Sequence, residues 1–311
     1  MTPYFSVVIS LYNKEKHIQS TIESVLAQSF VDFEIVVVND GSTDNSEAIV
    51  RSINDKRIRF YSQENKGASA GRNTAISKAT GNYIALLDAD DLWESNYLET
   101  IYTLILSYPN ENVFATAVTI ETSGGKKPSV YSINHIQENA TYVINYFESS
   151  YINTLLTSSS TVVNKSVFEK VGVYDTTIKS GEDIDLWIRI GLHYTIVFIN
   201  KSLVTYRYGK QSLSNRTKNI ADKPKYDAYI EMEAKHPALK KFIDLNRFSM
   251  AILSKLDNDQ DSFKRYKNVI DYNNLNKKQQ FLLNQPSFII QLFHFIKRLL
   301  QDFGIHLSAF R

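Results

Sequence analysis

The chain has 311 residues, 43% hydrophobic and 22% charged, with no cysteine. That balance describes a globular chain, argues against disorder, and excludes disulfides and thiolate metal sites. The net charge of +2 conceals a division: residues 201–311 carry 20 Lys and Arg against 10 Asp and Glu, leaving 15 against 23 for residues 1–200. An acidic first part joined to a basic last part points to two tasks.

Met1-Thr2-Pro3 runs straight into a strand-like segment with no charged and apolar leader, so no signal peptide is read and a cytoplasmic location is expected. Residues 5–11 read as a buried strand, and Ile18, Ile22, Val25 and Leu26 then recur at helical spacing. Residues 33–38 form a second apolar strand ending Asn39-Asp40-Gly41, after which Ser42 or Asp44 is placed to cap a helix carrying Ile49, Val50 and Ile53. Residues 57–61 alternate like a strand, and 70–79 are helical with Ala75, Ile76 and Ala79 inward. Residues 83–87 are an apolar strand running into Asp88-Ala89-Asp90-Asp91, and Leu98, Ile101, Leu104 and Ile105 mark the next helix.

Strands that are apolar throughout, alternating with helices, predict an α/β fold with a mainly parallel sheet covered on both faces. Beyond that, the pattern predicts a strand over 113–120, helices over 166–171 and 182–190, two short strands over 195–199 and 202–208, and basic helical chain after 216.

Polar residues gather where the strands end: Tyr12 and Asn13, Asp40, then Asp88 and Asp90. In open α/β sheets ligands bind beyond the carboxyl ends of the strands, so one crevice can collect them all. Asp88 and Asp90 suit Mg²⁺ or Mn²⁺, which take oxygen ligands and often complete their shell with substrate phosphates. The same residues also fit a turn capping the chain from Leu92, and Asp91 reads as the start of the next helix rather than as a ligand. Asp40 suits a ribose hydroxyl or base N–H, and equally a glycine turn with an N-cap. The stretch 65–73 is small, flexible and cationic, with Arg72 placed for phosphate or base, but it matches neither the dinucleotide fingerprint nor the P-loop. Glu182 and Asp183 open a helix whose dipole favours an ionised carboxylate, as a general base over a reacting hydroxyl needs. Ser180 and Asp183 also have capping-box spacing. The histidines, His17 and His135 among them, have no ligand spacing.

The order of these segments is more specific than any one of them. Residues 8–13, 38–44, 65–73, 87–91, 171–175 and 182–187 closely resemble, over residues 4–215, the inverting family 2 glycosyltransferases with the GT-A fold. The resemblance implies a domain over 1–215 and a basic helical region over 216–311. It implies a nucleotide-diphosphosugar donor, probed best among UDP-sugars, with Mn²⁺ or Mg²⁺ as cofactor. Tyr12 and Asp40 would hold base and ribose, with Ser10, Asn13 and Arg72 nearby. Asp88 would face the ribose or metal, Asp90 would ligate the metal, and Asp183 would be the catalytic base beside Glu182. The acceptor would be a glycan or lipid-linked hydroxyl, and no nucleic-acid partner is expected.

One departure stands out. Many family members carry a His after the base helix, whereas residues 206–214 here have none. Arg207 or Lys210 is expected to serve the diphosphate instead. In the tail, residues 287–303 are strongly apolar but interrupted by Lys297 and Arg298, and the uninterrupted part falls short of the ~20 residues that span a bilayer. An interfacial helix on an anionic membrane surface fits this pattern, as does packing on the rest of the chain or across a homodimer. Three rivals remain. A binding module without catalysis could share the fold, and an aspartate-nucleophile phosphatase would want its Asp-x-Asp on the first strand. A nucleotidyltransferase would want a glycine-rich loop that is missing.

Overall fold

The computed structural model describes residues 2–122, 124–208, 219–302 and 308–310. Its strands are β1 (Phe5–Leu11), β2 (Phe33–Asp40), β3 (Ile58–Gln63), β4 (Tyr83–Leu86), β5 (Leu92–Trp93), β6 (Val113–Thr122), β7 (Gly125–Pro128), β8 (Thr141–Ile144), β9 (Thr161–Asn164) and β10 (Ile196–Arg207). Its α-helices are α1 (Ile18–Leu26), α2 (Ser46–Ser52), α3 (Ala68–Lys78), α4 (Tyr97–Ser107), α5 (Tyr146–Ser149), α6 (Ser166–Val171) and α7 (Glu182–Gly191). In the C-terminal region follow α8 (Ile230–Glu233), α9 (Pro237–Leu256), α10 (Gln260–Val269), α11 (Lys277–Asn284) and α12 (Ser287–Asp302).

The strands join one sheet in the order β3-β2-β1-β4-β9-β6-β10-β5, with β7 on β6 and β8 on β10. β3, β2, β1 and β4 are parallel, as the apolar runs predict. β9 then enters antiparallel between β4 and β6, and β10 returns parallel to β6. The fold is therefore α/β with a mixed sheet and a C-terminal helical region, as the resemblance to the GT-A fold implies.

Alternation along each parallel strand divides two cores. Val7, Ile9, Ile35, Val37 and Ala85 face the side covered by Ile18 and Ile22 of α1, Val50 of α2 and Leu98 and Ile101 of α4. Val8, Val36, Val38, Ile84 and Leu86 face Ala75 and Ile76 of α3. Tyr226, Tyr229, Leu239, Phe242 and Ile243 join Leu186, Trp187 and Ile188 in that second core, so the chain from Tyr226 to Ile243 is built onto the sheet at α7. A third, smaller cluster around Leu245, Phe248, Ala251 and Leu283 holds the C-terminal helices together. On α9 the fully buried Arg247 forks onto both oxygens of Glu233 at 2.6 and 2.7 Å.

Two expectations need correction. The paired strands over 195–199 and 202–208 are one strand, β10, kinked by irregular register between Ile199 and Val204. Asp91 does not begin a helix: it leads into the two-residue β5, and its buried carboxylate accepts from the Arg207 backbone N–H at 2.9 Å and from Ser159 Oγ at 2.5 Å.

Candidate active site

β1 lies between β2 and β4, while the chain visits β2 and β3 on one side before crossing to β4 on the other. That makes the carboxyl ends of β1 and β4 the topological switch point, where an open α/β sheet leaves a crevice. The register pairs Leu11 with Asn39 and Val8 with Leu86, bringing the loops after β1, β2 and β4 to one edge.

The loop after β1 is locked to the loop after β2. Asn13 takes a left-handed backbone, φ +51°, which Asn tolerates better than most residues. Its side-chain oxygen accepts from the Thr43 N–H at 2.8 Å, and its own N–H donates to Ser42 Oγ at 3.1 Å. Next to it, Tyr12 leaves its ring 43% exposed. Asp40 is buried and draws the loop before α3 inward, accepting from the N–H groups of Lys66 and Gly67 at 3.0 and 2.8 Å and from Gln63 Nε2 at 2.7 Å. Gly71 brings α3 against β1, since a Cβ there would lie 2.2 Å from Ser10 Oγ.

After β4 the Leu87 N–H still bonds Val8, and the chain then turns through Asp88 to Asp91. Asp90 pairs with Lys14 from the loop after β1. Asp88 accepts from Arg72 at 2.7 Å. Each of these carboxylates keeps a second oxygen without a hydrogen bond among the described residues. Burial first, and then the charges of Asp88 and Asp90, push the Asp91 carboxyl well above the usual carboxylate range.

Arg72 is the hub. Its guanidinium donates at 2.7 Å to Asp88 on one side and at 2.7 Å to Glu182 on the other, and lies 5.2 Å from the centre of the Tyr174 ring. Burial opposes its charge, but Asp88, Tyr174 and Glu182 more than offset that and hold it protonated. Asn73, one residue on, staples α3 to Tyr174 through two backbone bonds of 2.8 and 3.0 Å. Arg72 thus ties the aspartate turn to the N-terminus of α7.

Glu182 is 6% exposed, and Asp183 follows it half-buried at the crevice. Burial first, then Glu182, pushes the Asp183 carboxyl up to about 6, against the pull of Arg72. The capping box is not formed. The N-cap of α7 is Gly181 at φ +81°, and Ser180 Oγ accepts from Lys223 instead, at 2.6 Å.

The structure therefore gathers Ser10, Tyr12, Asn13, Asp40, Arg72, Asp88 and Asp90 around the switch point, with Glu182 and Asp183 reaching it through Arg72. Asn13 and Asp40 organise loops, and Ser10 is a packing contact. The Arg207 guanidinium donates to Ser20 Oγ at 3.0 Å and lies 3.7 Å from Glu121. Lys210 lies outside the described residues.

Sequence reasoning missed Lys14, Ser159 and Tyr206. Lys14 is an ordinary loop lysine until β1 and β4 are known to be neighbours. Tyr206 is half-buried, and burial first, then Asp91, Asp88, Asp90 and Asp183, raises its phenol pKa, so it stays neutral. His17 is given no role by spacing; burial is the main cause of its lowered pKa, with Asp90, Arg207 and Lys14 acting on it.

Among the described residues no group of three or more His, Asp or Glu stands at metal-ligand spacing. Two carboxylates with one free oxygen each still suit Mg²⁺ or Mn²⁺, which commonly take one or two protein carboxylates and leave the rest to phosphate and water.

The sequence model described as Glycosyl transferase family 2 matches residues 6–172. The glycosyltransferase GlyA of Streptococcus pneumoniae is 32% identical over 220 residues, 67% of this chain but 31% of GlyA. The putative teichuronic acid biosynthesis glycosyltransferase TuaG of Bacillus subtilis is 28% identical over 239 residues, 75% of this chain and 90% of TuaG. Residues 1–349 of S. aureus TarS, solved in complex with UDP-GlcNAc, superpose with a TM-score of 0.60 at 19% identity, covering 88% of this chain and 93% of that one. The same TarS fragment in complex with UDP gives a TM-score of 0.58 at 20% identity.

Proposed function

The chain belongs to glycosyl transferase family 2, and from that premise we propose that it transfers a sugar, with inversion, from a nucleotide-diphosphosugar to a hydroxyl of a glycan or lipid-linked acceptor. The observation that carries this reading is Arg72, which joins Asp88 on the donor side to Glu182 beside Asp183 on the acceptor side.

The donor lies over the switch point. Tyr12 offers its exposed ring to the base, and Asp40 shapes the loop over residues 65–67 that closes on the nucleoside. Asp88 and Asp90 would hold Mn²⁺ or Mg²⁺. When bound, such an ion neutralises charge that develops on the leaving diphosphate. Asp183 accepts the proton of the acceptor hydroxyl as that oxygen attacks the anomeric carbon, and a single displacement from the opposite face inverts the configuration. Tyr206 stays protonated and donates to the donor or the acceptor. The UDP and UDP-GlcNAc complexes of TarS support a uridine donor here.

The test is a thermal shift with UDP-GlcNAc and Mn²⁺. A donor at 100 times its Kd stabilises the fold by about 2.7 kcal/mol. The shift is expected for the wild type and, in Asp90→Asn, to lose its dependence on Mn²⁺. A wild-type shift equally large with and without Mn²⁺ would remove the metal from this reading, a Mn²⁺ dependence kept in Asp90→Asn would remove Asp90 as its ligand, and release of phosphate from small phosphoesters without nucleotide-sugar binding would favour the phosphatase.

We place the enzyme on the cytoplasmic face of a membrane, attached peripherally through α12. No helix among the described residues is long and apolar enough to cross a bilayer. Phe288, Leu292 and Phe295 are 67%, 50% and 60% exposed at spacings that align them on one side of α12, and Lys297 follows them. An apolar stripe beside basic residues suits anionic headgroups. Full-length protein should co-sediment with phosphatidylglycerol vesicles at low salt but not with phosphatidylcholine, and Phe288→Ser with Phe295→Ser should abolish this. A dimer in sedimentation that binds neither vesicle would assign the stripe to a second copy.

A further inference from the structure

β9 forms one wall of the aspartate turn. It lies antiparallel to β4 with Ala85 opposite Val162, and that register, carried on to Asp88, sets Ser159 against it. There a side chain takes over from the backbone ladder. The Asp88 N–H donates to Ser159 Oγ at 3.1 Å, and Ser159 Oγ donates to the Asp91 carboxylate at 2.5 Å. One hydroxyl thus joins the first residue of the turn to its last. Because it accepts from an N–H and donates to a carboxylate, its proton has a single direction.

Ser159 is itself fixed. Its N–H donates to Thr157 Oγ1 at 3.3 Å, and its carbonyl accepts from Trp93 Nε1 at 2.7 Å. The Trp93 ring in turn stacks on Tyr97, with ring centres 4.2 Å apart. Ser159 is 1% exposed and Asp91 0%, so the link lies out of reach of water. Without the hydroxyl, the Asp88 N–H and one oxygen of a buried carboxylate lose their partner, which is costly where water cannot replace it. The other ties of the turn act elsewhere: the Asp91 N–H bonds the Asp88 carbonyl at 3.1 Å, and the Ala89 carbonyl accepts from Thr21 Oγ1 at 3.1 Å. From this short stretch Asp88 reaches Arg72 and Asp90 reaches Lys14. A change in the path of its backbone therefore moves both carboxylates together.

We propose that Ser159 is a positioning residue for the donor: its hydroxyl fixes the turn from Asp88 to Asp91, so that Asp88 and Asp90 meet the nucleotide-diphosphosugar in one geometry. β9 then serves the site as well as the sheet, because its antiparallel entry beside β4 is what delivers the hydroxyl. Ser159 acts through the turn and touches no substrate. The inference rests on the reading that Asp88 and Asp90 face the donor.

The experiment measures UDP-GlcNAc binding to the full chain by calorimetry with Mn²⁺ present, alongside the melting temperature. Ser159→Ala should weaken donor binding about tenfold, the equivalent of one lost hydrogen bond. It should also raise the donor KM more than it lowers kcat, since Asp183 stays in place. Thr161→Val is the control: it removes from β9 a buried hydroxyl that bonds nothing among the described residues, and donor affinity should stay at the wild-type value. Ser159→Cys, similar in size and only a weak donor, replaces the alanine variant if that protein does not fold. If the hydroxyl merely holds β9 in the sheet, Ser159→Ala will melt lower with donor affinity unchanged, and the proposal is overturned. Donor affinity kept in Asp88→Asn and Asp90→Asn alike would take down the donor reading and this inference with it. Affinity lost in those two but kept in Ser159→Ala would overturn the inference alone.

Discussion

Asp183→Asn is expected to slow transfer by about 10²–10⁴-fold while changing UDP-GlcNAc affinity little. The amide keeps the shape of the side chain and its place beside the Ile184 N–H, from which Asp183 accepts at 2.9 Å, but it cannot take a proton. The pH dependence follows from the same group. The Asp183 carboxyl sits at about 6 in the fold against 3.8 ordinarily, raised by burial and by Glu182. Below about 6 it is protonated and cannot act as base, so kcat/KM should fall about tenfold for each unit of acidification there and level off above. A profile flat between about pH 5 and 8 would take Asp183 out of the reaction.

The sign for stability is opposite. A carboxyl whose pKa is raised by folding binds more protons folded than unfolded between 3.8 and about 6, so its contribution worsens as pH rises through that window. At neutral pH the ionised base is therefore a local cost that the fold carries for function. Asp183→Asn removes that cost, and its melting temperature at neutral pH should match or exceed that of the wild type. Loss of activity together with a fall in melting temperature would mean that the substitution had damaged α7 itself.

Much of this was legible in the chain, for a physical reason. β1, β2 and β4 are buried on both faces, so their apolar runs are unbroken, and the polar residues just past Leu11, Val38 and Leu87 mark where water returns. The aspartates after β4 and Asp40 could be found from that, the Glu182-Asp183 pair from its place at the start of a helix, and the order of the segments narrowed the fold to one family. What stayed hidden depends on who neighbours whom. β9 is four residues following a serine run, and nothing in Thr161–Asn164 says that it lies antiparallel between β4 and β6. Asp91 resembles its neighbours in sequence, yet Ser159 and the Arg207 backbone make it an anchor. Ser180 and Asp183 have the spacing of a cap, but Lys223 arrives from 43 residues away and takes the serine. Local spacing describes the partners a residue can have, and the sheet order decides which it gets.

Arg72 is where those long-range choices meet, and its replacement should have the largest effect on the fold as well as the site. Arg72→Met leaves Glu182 6% exposed and without its 2.7 Å partner, and leaves Asp88 unpaired beside Asp90 and Asp91. Removing one partner of a buried pair costs about 3–5 kcal/mol, because the remaining charge is stranded. Lys223 stands near enough to Glu182 to act on it, which places the expected loss toward the lower end of that range. Arg72→Lys keeps the charge but not the planar fork that serves two carboxylates at once, so it should recover part of the stability and little of the transfer. The decisive arm is the double variant. If stranding of Glu182 is the cause, Arg72→Met with Glu182→Gln should melt higher than Arg72→Met alone, although each substitution by itself lowers stability. Additive losses, measured by thermal and denaturant unfolding, would show that Arg72 matters through its contacts with Tyr174 and Asp88 and that the bridge to the base helix carries no coupling. Donor binding separates the two halves of the bridge further. Arg72→Met should weaken UDP-GlcNAc through Asp88, whereas Glu182→Gln alone should leave donor affinity near wild type and reduce the rate through Asp183, whose elevated pKa depends in part on the Glu182 charge.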